Sequence, residues 1–210
     1  MTNKIVLIGG GGHCKACIDV IETANFEIAG IVDKKPDAGG ILNYGIIGDD
    51  DDIGDLVKKD YVFLITIGQI KNSSGRTRLF EKIKQLDGRF ATVIASSAIA
   101  SKSCTLGEGT IVMHQAIVNA AATIGSNCII NNGAIIEHDC SVGDHTHIST
   151  AAVINGNCII GNRVFVGSNS VVAQGIQIAN DVVIGAGSVV IRNIMQPGVF
   201  AGNPVRRISE

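Results

Sequence analysis

From Leu106 to Val190, every sixth residue is Leu, Ile or Val. The series is Leu106, Val112, Val118, Ile124, Ile130, Ile136, Val142, Ile148, Ile154, Ile160, Val166, Val172, Ile178, Ile184 and Val190, with no insertion. A period of six fits neither the 3.6-residue helix nor the two-residue alternation of a flat sheet. It predicts a parallel β-helix of hexapeptides running to about Ile194. Three hexapeptides close one triangular coil, so residues 18 apart stack at the strand spacing of about 4.8 Å. The residue after each apolar one should turn a corner. On one corner it is Gly107, Gly125, Gly143 and Gly161, where a positive φ or a tight turn is expected.

Residues 1–90 read differently. Lys4–Ile8 is an apolar strand that ends in Gly9–Gly12, and Cys14–Thr23 reads as a helix. Phe26–Val32 is a second strand ending at Asp33, and Tyr44–Ile47 a short third one. Asp50–Val57 is an acid-started helix, Tyr61–Thr66 a strand ending near Gly68, and Arg76–Leu86 an amphipathic helix. Alternating strands and helices predict a small, Rossmann-like parallel α/β domain. Residues 91–210 then form the repeat domain and a C-terminal tail. Ligands on such a sheet bind beyond the carboxyl ends of its strands. Here those ends are the Gly9–Gly12 loop, Asp33 and Gly68.

Composition narrows this picture. The chain has 26 glycines, no Trp, and only 4% aromatics, which suits a core of small and β-branched side chains. Net charge is −2 without a basic run, which argues against nucleic acid. No stretch approaches the roughly 20 apolar residues of a membrane span. The first residues lead straight into a strand without a leader-like apolar run, so a cytoplasmic protein is expected. Cys104, Cys128, Cys140 and Cys158 stand two residues before a repeat apolar position, a slot held elsewhere by Thr110, Ala116 or Ser170. They read as small, reduced, inward-facing side chains.

The densest chemistry lies in Asn131-Asn132-Gly133-Ala134-Ile135-Ile136-Glu137-His138-Asp139. His138 follows a corner, with Ala120 and Gly156 one coil away on either side. A histidine beside Asp139 suits a general base whose tautomer the carboxylate fixes. A polar surface corner is the alternative reading. The glycine loop followed by Asp33 resembles a dinucleotide fingerprint, but Cys14 stands where the third glycine belongs. The domain is also too short for a full nicotinamide fold. Cys14-Lys15-Ala16-Cys17 is a lone C-x-x-C, His145-Thr146-His147 lacks a third ligand, and Asp49–Asp52 lacks calcium-loop spacing. No metal is expected.

Taken together, these motifs resemble one family. They are Ile8-Gly9-Gly10-Gly11-Gly12-His13, Ile31-Val32-Asp33, Ile67-Gly68, Asn131 with Glu137-His138-Asp139, His147, and Gly198–Arg207. The chain is similar to the nucleotide-sugar acetyltransferases of bacterial glycan synthesis. These comprise enzymes acting on UDP-4-amino-sugars or perosamine, and the proteins called sialic acid O-acetyltransferases. The resemblance implies a left-handed β-helix and a homotrimer with active sites between subunits. It implies acetyl-CoA as donor, His138 as base and Asp139 as its support. It places the nucleotide-linked amino-sugar at Gly11, Gly12, His13, Asp33, Lys34, Gly68 and Asn131. It places acetyl-CoA at His147, Ser168 and Ala186. The forked guanidinium groups of Arg206 and Arg207 suit the CoA phosphates, with a solvated C-terminal tail as the alternative reading. Many relatives carry Glu in place of Asp139. The expected reaction is direct N-acetylation; O-acetylation of sialic acid or another sugar hydroxyl is the alternative, and a non-catalytic scaffold a third reading.

Overall fold

The computed structural model describes residues 3–34, 40–70 and 72–209. The N-terminal part is a five-stranded parallel sheet. Its elements are β1 (Lys4–Ile8), α1 (Gly12–Glu22), β2 (Glu27–Val32), β3 (Ile46–Gly48), α2 (Ile53–Lys58), β4 (Val62–Ile65), α3 (Ser74–Gln85) and β5 (Arg89–Phe90). The strand order is β3-β2-β1-β4-β5. The order reverses at β1, and the crevice beyond its carboxyl end is where such sheets take ligands. Apolar residues of β1 and β4 are buried on both sheet faces. That explains why both strands read as continuous apolar runs.

The rest is a left-handed parallel β-helix of three flat faces. The first face stacks Val93–Ile94, Ile111–Val112, Ile129–Ile130, His147–Ile148, Phe165–Val166 and Val182–Ile184, then a C-terminal hairpin of Gly198–Gly202 and Val205–Ser209. The second face runs from Ile99–Ala100 through Ile117–Val118, Ile135–Ile136, Val153–Ile154 and Val171–Val172 to Val189–Val190. The third runs from Thr105–Leu106 to Gln177–Ile178. Residues pair 18 apart along the repeats, as in Ile117↔Ile135 and Ile129↔His147, and 16 apart at the C-terminal end, as in Val182↔Gly198. The repeat Leu/Ile/Val residues and the small residues two before them form one continuous core. All six cysteines are free, and those of the repeats, Cys104 partly and the others fully buried, belong to this layer.

The corner glycines serve a purpose other than the expected positive φ. Gly107, Gly125, Gly143 and Gly161 are absent from the left-handed positions. They are required by close approach: a Cβ on Gly107 would stand 2.5 Å from the backbone of Gly125 and Ser126. The left-handed residue is instead the third after each repeat apolar residue, from Gly109 and Gln115 through Asn127, Gly133, Asp139 and His145 to Gly187.

The two parts share a core. Helix α1, through Cys14, Cys17, Ile18 and Ile21, packs with Val93, Ile111, Met113 and Ile129 of the first face. Arg76, only 2% exposed, crosses the same boundary. Its Nη1 donates to the carbonyls of Ile65 and Ile67 at the end of β4, and its Nη2 to Asn127 O and Oδ1, both at 2.8 Å. Among the described residues, no helix is long and apolar enough to cross a membrane.

Candidate functional site

The first cleft opens at the carboxyl ends of β1, β2 and β4 and measures about 560 Å³. Gly11, Gly12, His13, Asp33, Lys34 and Gly68 all line it, as does His147 from the β-helix. The loop is held from two sides. Gly10 N–H donates to Asp33 Oδ2, and the Thr66 hydroxyl donates to Gly9 O at 2.6 Å. Gly9 has φ 104°, a conformation a side chain resists. Helix α1 begins at Gly12, so its unpaired N–H groups face an anion entering the cleft. Asp33 therefore shapes the loop as well as lining the cleft. Asp50 and Arg78, ion-paired at 3.0 Å, form part of the far wall.

His147 sits where the cleft meets the first face. Its Nδ1 donates to Gln69 O at 2.7 Å, and its Nε2 accepts from Asn131 Nδ2 at 3.0 Å. Burial drives its pKa down to about 3, helped by the nearby His13 and Arg76 and opposed by the Gln69 bond. Burial and the Arg76 charge bring His13 down to about 4. The two rings lie 6.3 Å apart. Both imidazoles are neutral at physiological pH, and both nitrogens of His147 are engaged. His147 is thus a fixed polar group and not a free base. Neighbouring His145 is separately held, its Nδ1 2.9 Å from Asn127 Nδ2.

His138 has the opposite environment. It projects from the corner between the second and third faces, with 58% of its side chain exposed. Its Nδ1 bonds Asp139 Oδ2 at 2.8 Å, which leaves Nε2 directed to solvent. That hydrogen bond, then the charges of Asp139 and Glu137, raises its pKa above the ordinary histidine value. Asp139 occupies the left-handed turn position at φ 59°. Gly156, one coil away, lies beside the ring: a Cβ there would stand 2.8 Å from His138 Cε1 and Nε2. Its backbone is not in the left-handed region, so alanine is conformationally allowed. Gly156→Ala should leave the thermal midpoint nearly unchanged but push the imidazole aside. With His138 as the base that the resemblance implies, such a displacement costs up to about 100-fold, and kcat should fall at least about tenfold in a steady-state assay.

A second groove of about 650 Å³ runs along the edge between the first and second faces. Gly167, Ser168, Gly185 and Ala186 line it with Phe165, Val183 and Val199. Small residues on successive coils leave a channel in which a narrow, extended chain can lie flat. Ser168 Oγ is 3.0 Å from the Ser149 hydroxyl. His147, expected with Ser168 and Ala186, lines the first cleft instead; its ring meets Phe165 of the groove edge-on at 5.2 Å. Arg207 Nη2 donates to Pro197 O, and Arg206 lines a separate hollow with Arg192. Gln69, Arg76 and Phe165 escape sequence reasoning. Only Arg76 left a trace there: it occupies the apolar stripe of Leu79, Phe80 and Ile83.

Residues 4–83 match the PglD N-terminal domain family, and residues 157–192 match the bacterial transferase hexapeptide family of six repeats. The crystal structure of PerB from Caulobacter crescentus, in complex with CoA and GDP-perosamine, is 32% identical with a TM-score of 0.91. That match covers 98% of this chain and 97% of PerB. The acetyltransferase domain of PglB from Neisseria gonorrhoeae, in complex with acetyl coenzyme A, is 26% identical with a TM-score of 0.92. It covers 99% of this chain and 100% of that one. UDP-N-acetylbacillosamine N-acetyltransferase of Bacillus subtilis is 37% identical over 113 residues. That alignment spans 51% of this chain and only half, 50%, of the relative. A near-complete match at this identity to PerB, joined to both domain families, places the chain: it belongs to the hexapeptide-repeat nucleotide-sugar acetyltransferases.

Proposed function

We propose that this chain transfers the acetyl group of acetyl-CoA to the amino group of a nucleotide-linked amino-sugar of the UDP-4-amino-sugar type, in bacterial glycan synthesis. The observation that carries this reading is the exposed His138 imidazole, held at Nδ1 by Asp139 with Nε2 free. In this reading residues 1–90 hold the sugar nucleotide. Gly11, Gly12 and His13 meet the diphosphate, Asp33 and Lys34 the nucleoside, and Gly68 and Asn131 the sugar. Residues 91–210 carry the transfer, with acetyl-CoA along Ser168 and Ala186 and its acetyl end toward His147. The relatives support both ligands: PerB was crystallised with CoA and GDP-perosamine, and the PglB domain with acetyl coenzyme A.

The neutral amine attacks the thioester carbonyl and forms the C–N bond. His138 Nε2 accepts the amine proton, and Asp139 stabilises the resulting imidazolium. Backbone N–H groups at a helix corner stabilise the oxyanion. Its collapse breaks the C–S bond, and the CoA thiolate leaves with the proton from His138. No covalent enzyme intermediate is needed.

His138 and the Ser168 groove lie on opposite edges of the second face. That face carries an outward apolar ladder of Ile99, Ile117, Ile135, Val153, Val171 and Val189, with Ile99 61% exposed. A cyclic assembly joins one edge of a protomer to the other edge of the next. We infer a homotrimer in which His138 reaches the ligands of a neighbouring protomer. Ile135→Lys should convert it to monomers, read by light scattering, and abolish turnover while the fold persists by circular dichroism. A trimer that survives the charge would place the interface elsewhere. The six free cysteines accord with a reducing, cytoplasmic site of action.

The deciding experiment is CoA release from acetyl-CoA with a panel of acceptors: UDP- and GDP-linked 4-amino-sugars, free sialic acid and CMP-sialic acid. Turnover of one amino-sugar nucleotide is the expected result. Turnover with sialic acid alone would make the chain an O-acetyltransferase.

A further inference from the structure

We propose that Ile70 is the partition between the nucleotide cleft and the acyl groove, and that its bulk limits the acyl group to acetyl. This deepens the acetyl-transfer reading and rests on it. Among the described residues, Ile70 is the one residue that lines both cavities. On the cleft side its neighbours include Gly68, Gln69 and His147. On the groove side they include Phe165, Gly167, Ser168 and Val183. His147 and Phe165 are paired in register on adjacent coils, so the two spaces adjoin at one point of the first face.

The position of Ile70 is set by the residue before it. Gln69 is 4% exposed, and its carbonyl accepts the His147 Nδ1 proton. Two residues further back, the Ile67 carbonyl is held by the buried Arg76 guanidinium. Ile70 itself is 67% exposed and carries no load in either core. A large apolar side chain on an anchored loop, facing two ligand spaces, suits selection better than stability. An acyl carbon that moves from the groove to an amine in the cleft must pass beside it. Acetyl has one carbon beyond the carbonyl; each further methylene must occupy the volume that the Ile70 side chain fills. A pocket discriminates one methylene by about 10–200-fold.

The test compares acetyl-, propionyl- and butyryl-CoA on the wild type, Ile70→Val and Ile70→Ala. In the wild type, kcat/KM should fall by about tenfold or more per added methylene. Ile70→Ala removes three carbons and should narrow the acetyl-to-butyryl gap at least about tenfold, with Ile70→Val between. KM for the sugar nucleotide should move much less. An unchanged gap in Ile70→Ala, with acetyl turnover retained, overturns the proposal. Calorimetric binding of acetyl- and butyryl-CoA without acceptor gives a second, activity-independent readout. If the wild type binds and ranks the thioesters, Ile70→Ala loses that ranking, and no acceptor is acetylated, the transfer reading fails and the partition stands. If no acyl-CoA binds, both fail.

Discussion

His138→Ala should lower kcat by about 10²–10⁴-fold, the usual worth of a positioned general base, while acetyl-CoA binding and the fold persist. The side chain is more than half exposed and packs into no core, so its removal costs little stability. A scaffold without catalysis predicts no change in any rate, and that outcome would sink the assignment. The pH profile gives a second reading of the same group. A base works only when unprotonated, so kcat/KM should rise with pH through the His138 pKa and then level. The Asp139 hydrogen bond and the Asp139 and Glu137 charges raise that pKa, which moves the rise toward higher pH than an ordinary histidine would give. Asp139→Asn removes a charge but keeps a residue at ease in the left-handed turn. The rise should then shift to lower pH, with a lower plateau because the base is weaker. A profile that does not move would mean that another group takes the proton.

His138 and His147 illustrate what the chain discloses on its own. The six-residue period announces the coils, and stacking by 18 puts Gly156 beside His138, which the built geometry bears out. The glycine loop, Asp33 and Gly68 are legible because the ends of parallel strands converge. The state of His147 is not legible. It depends on Gln69, 78 residues earlier, and no local pattern encodes a bond across two domains. The turn position is hidden for a different reason. Most left-handed positions hold Gly, Asn or Asp, but Gln115, Ala121, His145, Ala151 and Arg163 adopt the same conformation, so at these five the stacking of the coils dictates it without a turn residue to mark it. Glycine also fills the corners where stacked backbones nearly touch, as at Gly107.

Arg76→Met should destabilise the protein by about 3 kcal/mol or more, since several buried carbonyl oxygens lose their donor at about 1–3 kcal/mol each. The guanidinium has no carboxylate partner among its hydrogen bonds; three backbone carbonyls and the Asn127 amide oxygen accept from it. Burial pulls its pKa down to about 10, so it remains charged at neutral pH. Because Asn127 Oδ1 faces Arg76, Asn127 Nδ2 must donate to His145 Nδ1. His145 then carries its proton on Nε2, which faces Glu81 of α3 at 3.8 Å. One buried cation thus orders a chain from β4 across two coils and back to α3. Arg76→Lys keeps the charge, but one ammonium cannot reproduce the planar fork, and its loss should be intermediate. Urea unfolding of all three proteins reads the difference. The same change frees the Ile67 carbonyl beside Gly68, so KM for the sugar nucleotide should rise by more than kcat falls. A loss below about 1 kcal/mol would mean that the carbonyls find water or other donors, and that the two domains are held by the apolar contacts of α1 with the first face alone.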